Sequence, residues 1–106
     1  MNILLCCGAG MSSGFMAQYV RNAAKKSGIQ VKCEAHSQAT IEKIVKDFDI
    51  LCLGPHLGTN LKNFEKMCAP YDIPVIVIPS EIYGRLDGKG LYELCVKTVE
   101  EKEENG

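Results

Sequence analysis

The chain has 106 residues, 46% of them hydrophobic and 24% charged, with a net charge of −1. That is enough for one domain with a modest core, so residues 1–106 are expected to form a single domain. A near-neutral balance gives no global attraction to nucleic acid or to an anionic membrane surface, and no apolar run approaches the ~20 residues that span a bilayer. The first residues carry no basic stretch ahead of the short apolar run, so a signal peptide is not expected and the chain reads as cytoplasmic.

Residues 2–6 form a continuous apolar run, the mark of a strand buried on both faces. It passes directly into Cys7-Gly8-Ala9-Gly10-Met11-Ser12-Ser13-Gly14. A helix is predicted over 13–27, with Phe15, Met16, Tyr19, Val20, Ala23 and Ala24 recurring at helical spacing. Ser12 or Ser13 is the expected N-cap, and Gly28 is placed to end the helix as its C′ residue. Residues 30–35 alternate apolar and polar, which suits an edge strand. Ile41, Ile44, Val45 and Phe48 mark a second helix over about 39–46, capped by Ser37. Residues 49–53 read as a central strand, stopped by Gly54-Pro55. Leu57, Leu61, Phe64 and Met67 suggest a short helix over 58–67. A β-branched strand over 75–78 ends at Pro79, residues 80–88 read as a loop, and a last helix runs over about 89–103. The acidic tail beyond it reads as a solvated, fraying end.

Strict alternation of strand and helix implies an α/β fold: a four-stranded parallel sheet with helices on both faces. Right-handed crossovers, with the first helix on the opposite side from the next, give the strand order 2-1-3-4. The topology is similar to that of low-molecular-weight tyrosine phosphatases. Ligands of such sheets bind at the carboxyl ends of the strands, beside the switch point, where Cys7 stands. The loops after the third and fourth strands line the same rim. They bring His56, Tyr83 and Asp87 as contact candidates, with Gly14 from the first helical turn.

Cys7 is the candidate nucleophile. Backbone N–H groups of a small-residue loop and of a helix N-terminus converge on an anion, and the same field favours the thiolate. Gly8, Ala9 and Gly10 keep side chains out of the way, and Ser12 and Ser13 add hydroxyls. The other five cysteines, Cys6, Cys33, Cys52, Cys68 and Cys95, sit in apolar runs and read as small hydrophobes. No C-x-x-C pair is present for zinc or dithiol chemistry, so neither a metal nor a cofactor is expected. Reduced thiols follow from a reducing compartment. His36 reads as a surface or hydrogen-bonded residue.

Cysteine phosphatases and arsenate reductases place an Arg six residues after the nucleophile, where it clamps the phosphate bidentately. Here that place holds Ser13, and no Arg or Lys lies between Cys7 and Arg21. A loop of neutral dipoles holds a phosphoryl group but does little for attack by water. It suits a carrier better than a hydrolase. Three readings stay open on these residues: a phosphoryl carrier, a small cysteine phosphatase or arsenate reductase, and a binding domain with an inert Cys7.

Over nearly its whole length the chain resembles the IIB component, lactose/cellobiose/chitobiose class, of the bacterial sugar phosphotransferase system. The resemblance rests on Leu4-Leu5-Cys6-Cys7-Gly8-Ala9-Gly10-Met11-Ser12-Ser13, on Leu53-Gly54-Pro55, and on Tyr83-Gly84 with Asp87-Gly88. It implies that Cys7 takes phosphate from a phosphohistidine of a IIA protein. The phosphate then passes to a disaccharide carried by the membrane IIC transporter, as in a protein-phosphocysteine–sugar phosphotransferase. The resemblance places the phosphate cradle on the backbone of residues 8–13, including Met11. It implies a monomer that meets the membrane transporter transiently. Gly8 stands where Ser or Asn is common in the family, and His56 where Gln is usual.

Overall fold

The computed structural model describes residues 1–6 and 11–105, without the side chains of Met11, Ser12, Ser13 and Asn105. Strand β1, Asn2–Cys6, is the centre of the chain's architecture. Its residues Ile3, Leu4, Leu5 and Cys6 have no exposed surface. Strands β2, Lys32–His36, and β3, Ile50–Leu53, flank it in parallel, and β4, Val75–Val77, pairs with β3. The order β2-β1-β3-β4 is the expected one.

Side chains alternate across the sheet, so successive residues of one strand feed two separate cores. Ile3 and Leu5 join Ile50 and Cys52 under helices α1, Met11–Lys26, and α5, Gly88–Asn105. Leu4 and Cys6 join Leu51 and Leu53 under α2, Gln38–Ile44, and α3, Leu61–Cys68. Neither face of β1 from Ile3 to Cys6 meets water, which is why those four residues are apolar in succession rather than alternating.

The helix boundaries differ from the sequence reading in instructive ways. Helix α1 begins at Met11, so Ser12 and Ser13 lie in its first turn rather than at its N-cap. Its buried stripe is Met16, Ala17, Val20 and Ala24, whereas Phe15 and Tyr19 are 56% and 44% exposed. Both stripes have helical spacing. The close approach of α5 selects the one with alanines, because small side chains let two helices meet. Strand β2 begins two residues late and runs through His36. Ser37 stands at the N-cap of α2 without a side-chain bond to the helix; it interacts instead with Thr40, whose hydroxyl donates to its carbonyl at 3.1 Å. The predicted helix over 58–67 divides into a 3-10 turn, Pro55–Asn60, and α3.

The predicted loop over 80–88 contains a short helix, α4, Ser80–Gly84. It ends in a Schellman turn: the Asp87 N–H donates to the Ile82 carbonyl at 2.9 Å and the Leu86 N–H to the Tyr83 carbonyl at 3.2 Å. Leu86 takes the left-handed position, φ 51°, normally filled by glycine. Packing of its side chain against the α1–α5 core offsets that backbone cost, on the order of 1–2 kcal/mol. Helix α1 ends the same way, with Gly28 at φ 78° as expected. The acidic tail continues α5 as helix to Asn105, with Lys102 paired to Asp72 at 3.2 Å.

The sheet edge at β2 is blunted by a side chain. The Arg21 guanidinium donates to the Cys33 carbonyl, covering one of the edge's open acceptors.

Gly88 marks the closest approach of α5 to α1. A Cβ there would press into the backbone carbonyl of Tyr19. Gly88→Ala is expected to cost about 1–3 kcal/mol, read from the urea midpoint, because backbone must shift to admit the methyl group. Gly28→Ala, strained only by its positive φ, should cost about 1 kcal/mol.

Candidate active site

All four strands are parallel, so their carboxyl ends lie at one edge of the sheet. Backbone hydrogen bonds lace that edge together up to the residue before the candidate nucleophile. The Gly54 N–H donates to the Cys6 carbonyl at 2.9 Å, and the Ile78 N–H to the Leu53 carbonyl at 2.8 Å. Strand β1 ends at Cys6 and α1 begins at Met11, so four residues separate them. Cys7, Gly8, Ala9 and Gly10 lie outside the described residues, as do the side chains of Met11, Ser12 and Ser13. What is described is the frame: a buried strand that ends at Cys6, and the first turn of a 16-residue helix that starts at Met11. The N-terminus of α1 carries unpaired N–H groups and the positive end of the helix dipole.

The other thiols are disposed quite differently. Cys6, Cys33, Cys52, Cys68 and Cys95 are all buried. Burial pushes the Cys33 thiol up to about 12, with a smaller upward contribution from the neighbouring Cys95. Burial likewise raises Cys68. A buried, protonated thiol is a poor nucleophile. The reading of these five as small hydrophobes agrees with their places in the two cores.

Arg21 does not supply the missing clamp. Its guanidinium is committed to the Cys33 carbonyl on the β2 edge. Among the described residues no group of three or more His, Cys, Asp or Glu side chains is arranged to hold a metal ion.

The rim residues fall into distinct settings. Gly14 is exposed in the first turns of α1, and a Cβ there would meet nothing within 4 Å. His56 is exposed on the 3-10 turn after β3. Tyr83 is half-buried in α4, against the core under α1 and α5. Asp87 caps α5: its carboxylate accepts the Gly90 N–H at 2.9 Å. That capping follows from the backbone turn at Leu86, which the motif Asp87-Gly88 alone does not disclose.

His36 is a hydrogen-bonded residue, as expected. His36 is the last residue of β2 and stands opposite Cys6 in register. Its Nε2 lies 2.9 Å from Glu34 Oε1. The hydrogen bond to His36, with a smaller contribution from Lys32, holds the Glu34 carboxyl below its ordinary range. Alternation along Lys32-Cys33-Glu34-Ala35-His36 places both side chains on one face, which is the signal that finds them.

The family model described as "PTS system, Lactose/Cellobiose specific IIB subunit" matches residues 2–94. An oligo-beta-mannoside-specific EIIB component of the Bacillus subtilis phosphotransferase system is 30% identical over 97 residues, which cover 92% of this chain and 94% of that protein. A lactose-specific EIICB component from Lacticaseibacillus casei is 21% identical over 90 residues; the match covers 85% of this chain but only 16% of that longer protein. The solution structure of a cellobiose-specific phosphotransferase IIB component from Borrelia burgdorferi superposes with a TM-score of 0.79 at 33% identity, covering 96% of this chain and 94% of that one.

Two outcomes test this frame. Asp87→Ala should lower stability by about 0.5–2 kcal/mol, the usual loss on removing a helix cap, measured by urea unfolding. Glu34 has a lower pKa folded than unfolded, so its contribution is present above the unfolded value and lost as pH falls through the folded one. The wild type should therefore exceed Glu34→Gln in stability near neutral pH, and the gap should close below about pH 4.

Proposed function

The chain belongs to the lactose/cellobiose-specific IIB subunit family of the phosphotransferase system, and on that premise we propose that Cys7 is its phosphoryl-carrying nucleophile. The observation that carries this reading is one of contrast. Five of the six cysteines are buried in the two cores, while Cys7 follows the last residue of β1 and precedes a helix N-terminus. The chain is read as one IIB domain over residues 1–106.

The transfer runs in two steps. The Cys7 thiolate attacks the phosphorus of a phosphohistidine on a IIA protein; the P–N bond breaks and the imidazole leaves, taking up a proton. A hydroxyl of a disaccharide held by a membrane IIC transporter then attacks the same phosphorus. The P–S bond breaks, the thiolate leaves, and a base on the transporter side accepts the hydroxyl proton. Such transfers depend on positioning and on stabilising charge spread over the phosphoryl oxygens. The backbone N–H groups of residues 8–13 supply the neutral part of that stabilisation, with the Ser12 and Ser13 hydroxyls beside them. A IIC partner is supported by the EIICB relative, whose name joins the two components in one chain. The relatives' names range over oligo-beta-mannosides, lactose and cellobiose, which supports a disaccharide of that kind as the proposed substrate. Gly14, His56, Tyr83 and Asp87 remain the rim positions for partner contact. No helix of the described residues is long and apolar enough to cross a membrane.

The carrier reading is favoured over hydrolysis because Ser13 stands at the clamp position and Arg21 is spent on β2. The test is relay of labelled phosphate from phosphoenolpyruvate through the general phosphotransfer proteins and a matching IIA. The label should map to Cys7 and move to sugar when IIC membranes are added. Cys7→Ala should reduce sugar phosphorylation by more than about 10³-fold, the scale on which loss of a nucleophile is felt. Label on a histidine, or relay that survives Cys7→Ala, overturns the proposal. Turnover of an aryl phosphate by the isolated protein would favour the phosphatase instead.

A further inference from the structure

Cys52 lies in the middle of β3, on the face covered by α1 and α5, and Cys95 lies on the inner face of α5. Their sulfurs are 3.4 Å apart although the residues are separated by 43 positions. Neither residue has any exposed surface. We propose that this pair is a modification site: a buried dithiol that hydrogen peroxide, or another peroxide-class oxidant, converts to a disulfide joining β3 to α5.

The geometry favours closure over other fates of the two sulfurs. A disulfide needs about 2.0 Å between them, so each sulfur has to move only about 0.7 Å. The partner for the second step already stands in contact with the first. The chemistry balances without a metal. One thiol loses its proton and its sulfur attacks a peroxide oxygen; the O–O bond breaks, a sulfenic acid forms, and the departing hydroxide takes up a proton to become water. The second sulfur, its own proton lost, then attacks the sulfenic sulfur. The S–O bond breaks, the S–S bond forms, and the released hydroxide is protonated to a second water. Two electrons pass from the pair of sulfurs to the peroxide. Cys33 lies in the same cluster and serves as the internal control for the pair.

Both sulfurs are covered by α5, so oxidation requires that helix to open. Folded domains sample local openings of this kind without unfolding as a whole. Once formed, the bond pins α5 to the central sheet. It also closes a long loop in the unfolded chain, which raises stability.

The experiment uses the full chain carrying Cys7→Ser, which leaves only the five buried thiols, treated with hydrogen peroxide. Remaining thiols are then blocked in denaturant and the protein is mapped by mass spectrometry. The expected result is a linked peptide pair containing Cys52 and Cys95, lighter by two hydrogens, together with a rise in Tm of several degrees. Dithiothreitol should reverse both changes. Cys52→Ser and Cys95→Ala should each abolish the linked pair and the rise. Unlinked thiols at both positions after α5 amides have exchanged with solvent would overturn the proposal. So would sulfinic acid without a link, or a link that uses Cys33 or Cys6 instead.

Discussion

Everything in this molecule depends on a short parallel strand that is dry on both faces. β1 has neighbours on both edges and a core on each side. Its last backbone carbonyl accepts a hydrogen bond from Gly54, the residue at which the third strand leaves the sheet. A strand so enclosed has little freedom to slide, because a shift of one residue would exchange its two cores. The position of Cys6 is therefore set by the sheet. The carboxyl end of β1 is fixed in place, and the N-terminus of α1 carries positive potential.

The two cores divide the remaining work. The core under α1 and α5 is built for close approach: alanines on α1, Gly88 at the start of α5, and three thiols between them and the sheet. That tightness pushes Phe15 and Tyr19 outward, beside the first turns of α1. The core under α2 and α3 is filled by Ile41, Val45 and Phe64 and is bounded by the edge of β2. At that edge Lys32 lies 5.1 Å over the Phe48 ring and Arg21 covers a backbone carbonyl from the other face. Charge at the edge discourages pairing with a second chain. It also commits the Arg21 guanidinium to the β2 edge.

The strand order was legible because the pattern is local and repeated. Continuous apolar runs at residues 2–6 and 50–53 mark central strands, and alternation in Lys32-Cys33-Glu34-Ala35-His36 marks an edge. What was not legible depends on contacts made across the chain. Two candidate stripes on α1 share the same period, and only the packing of α5 chooses between them. Helix α4 has five residues, too few to show a 3.6-residue period, and it ends at a leucine where the usual signal would be glycine. The contact between Cys52 and Cys95 spans 43 residues and leaves no trace in local pattern. The candidate nucleophile is read from position in the sequence alone: a cysteine between an apolar run and a predicted helix. The structure adds to it the burial of the other five cysteines.

The central claim is that phosphate resides on the Cys7 sulfur. It is tested most directly by phosphorus NMR of the protein after phosphorylation by its IIA partner. A resonance in the range of S-linked phosphoryl groups, absent in Cys7→Ala and retained in both His36→Gln and His56→Gln, is the predicted result. A resonance in the N-linked range, lost on replacing His36 or His56, would place the phosphate on a histidine and contradict the account.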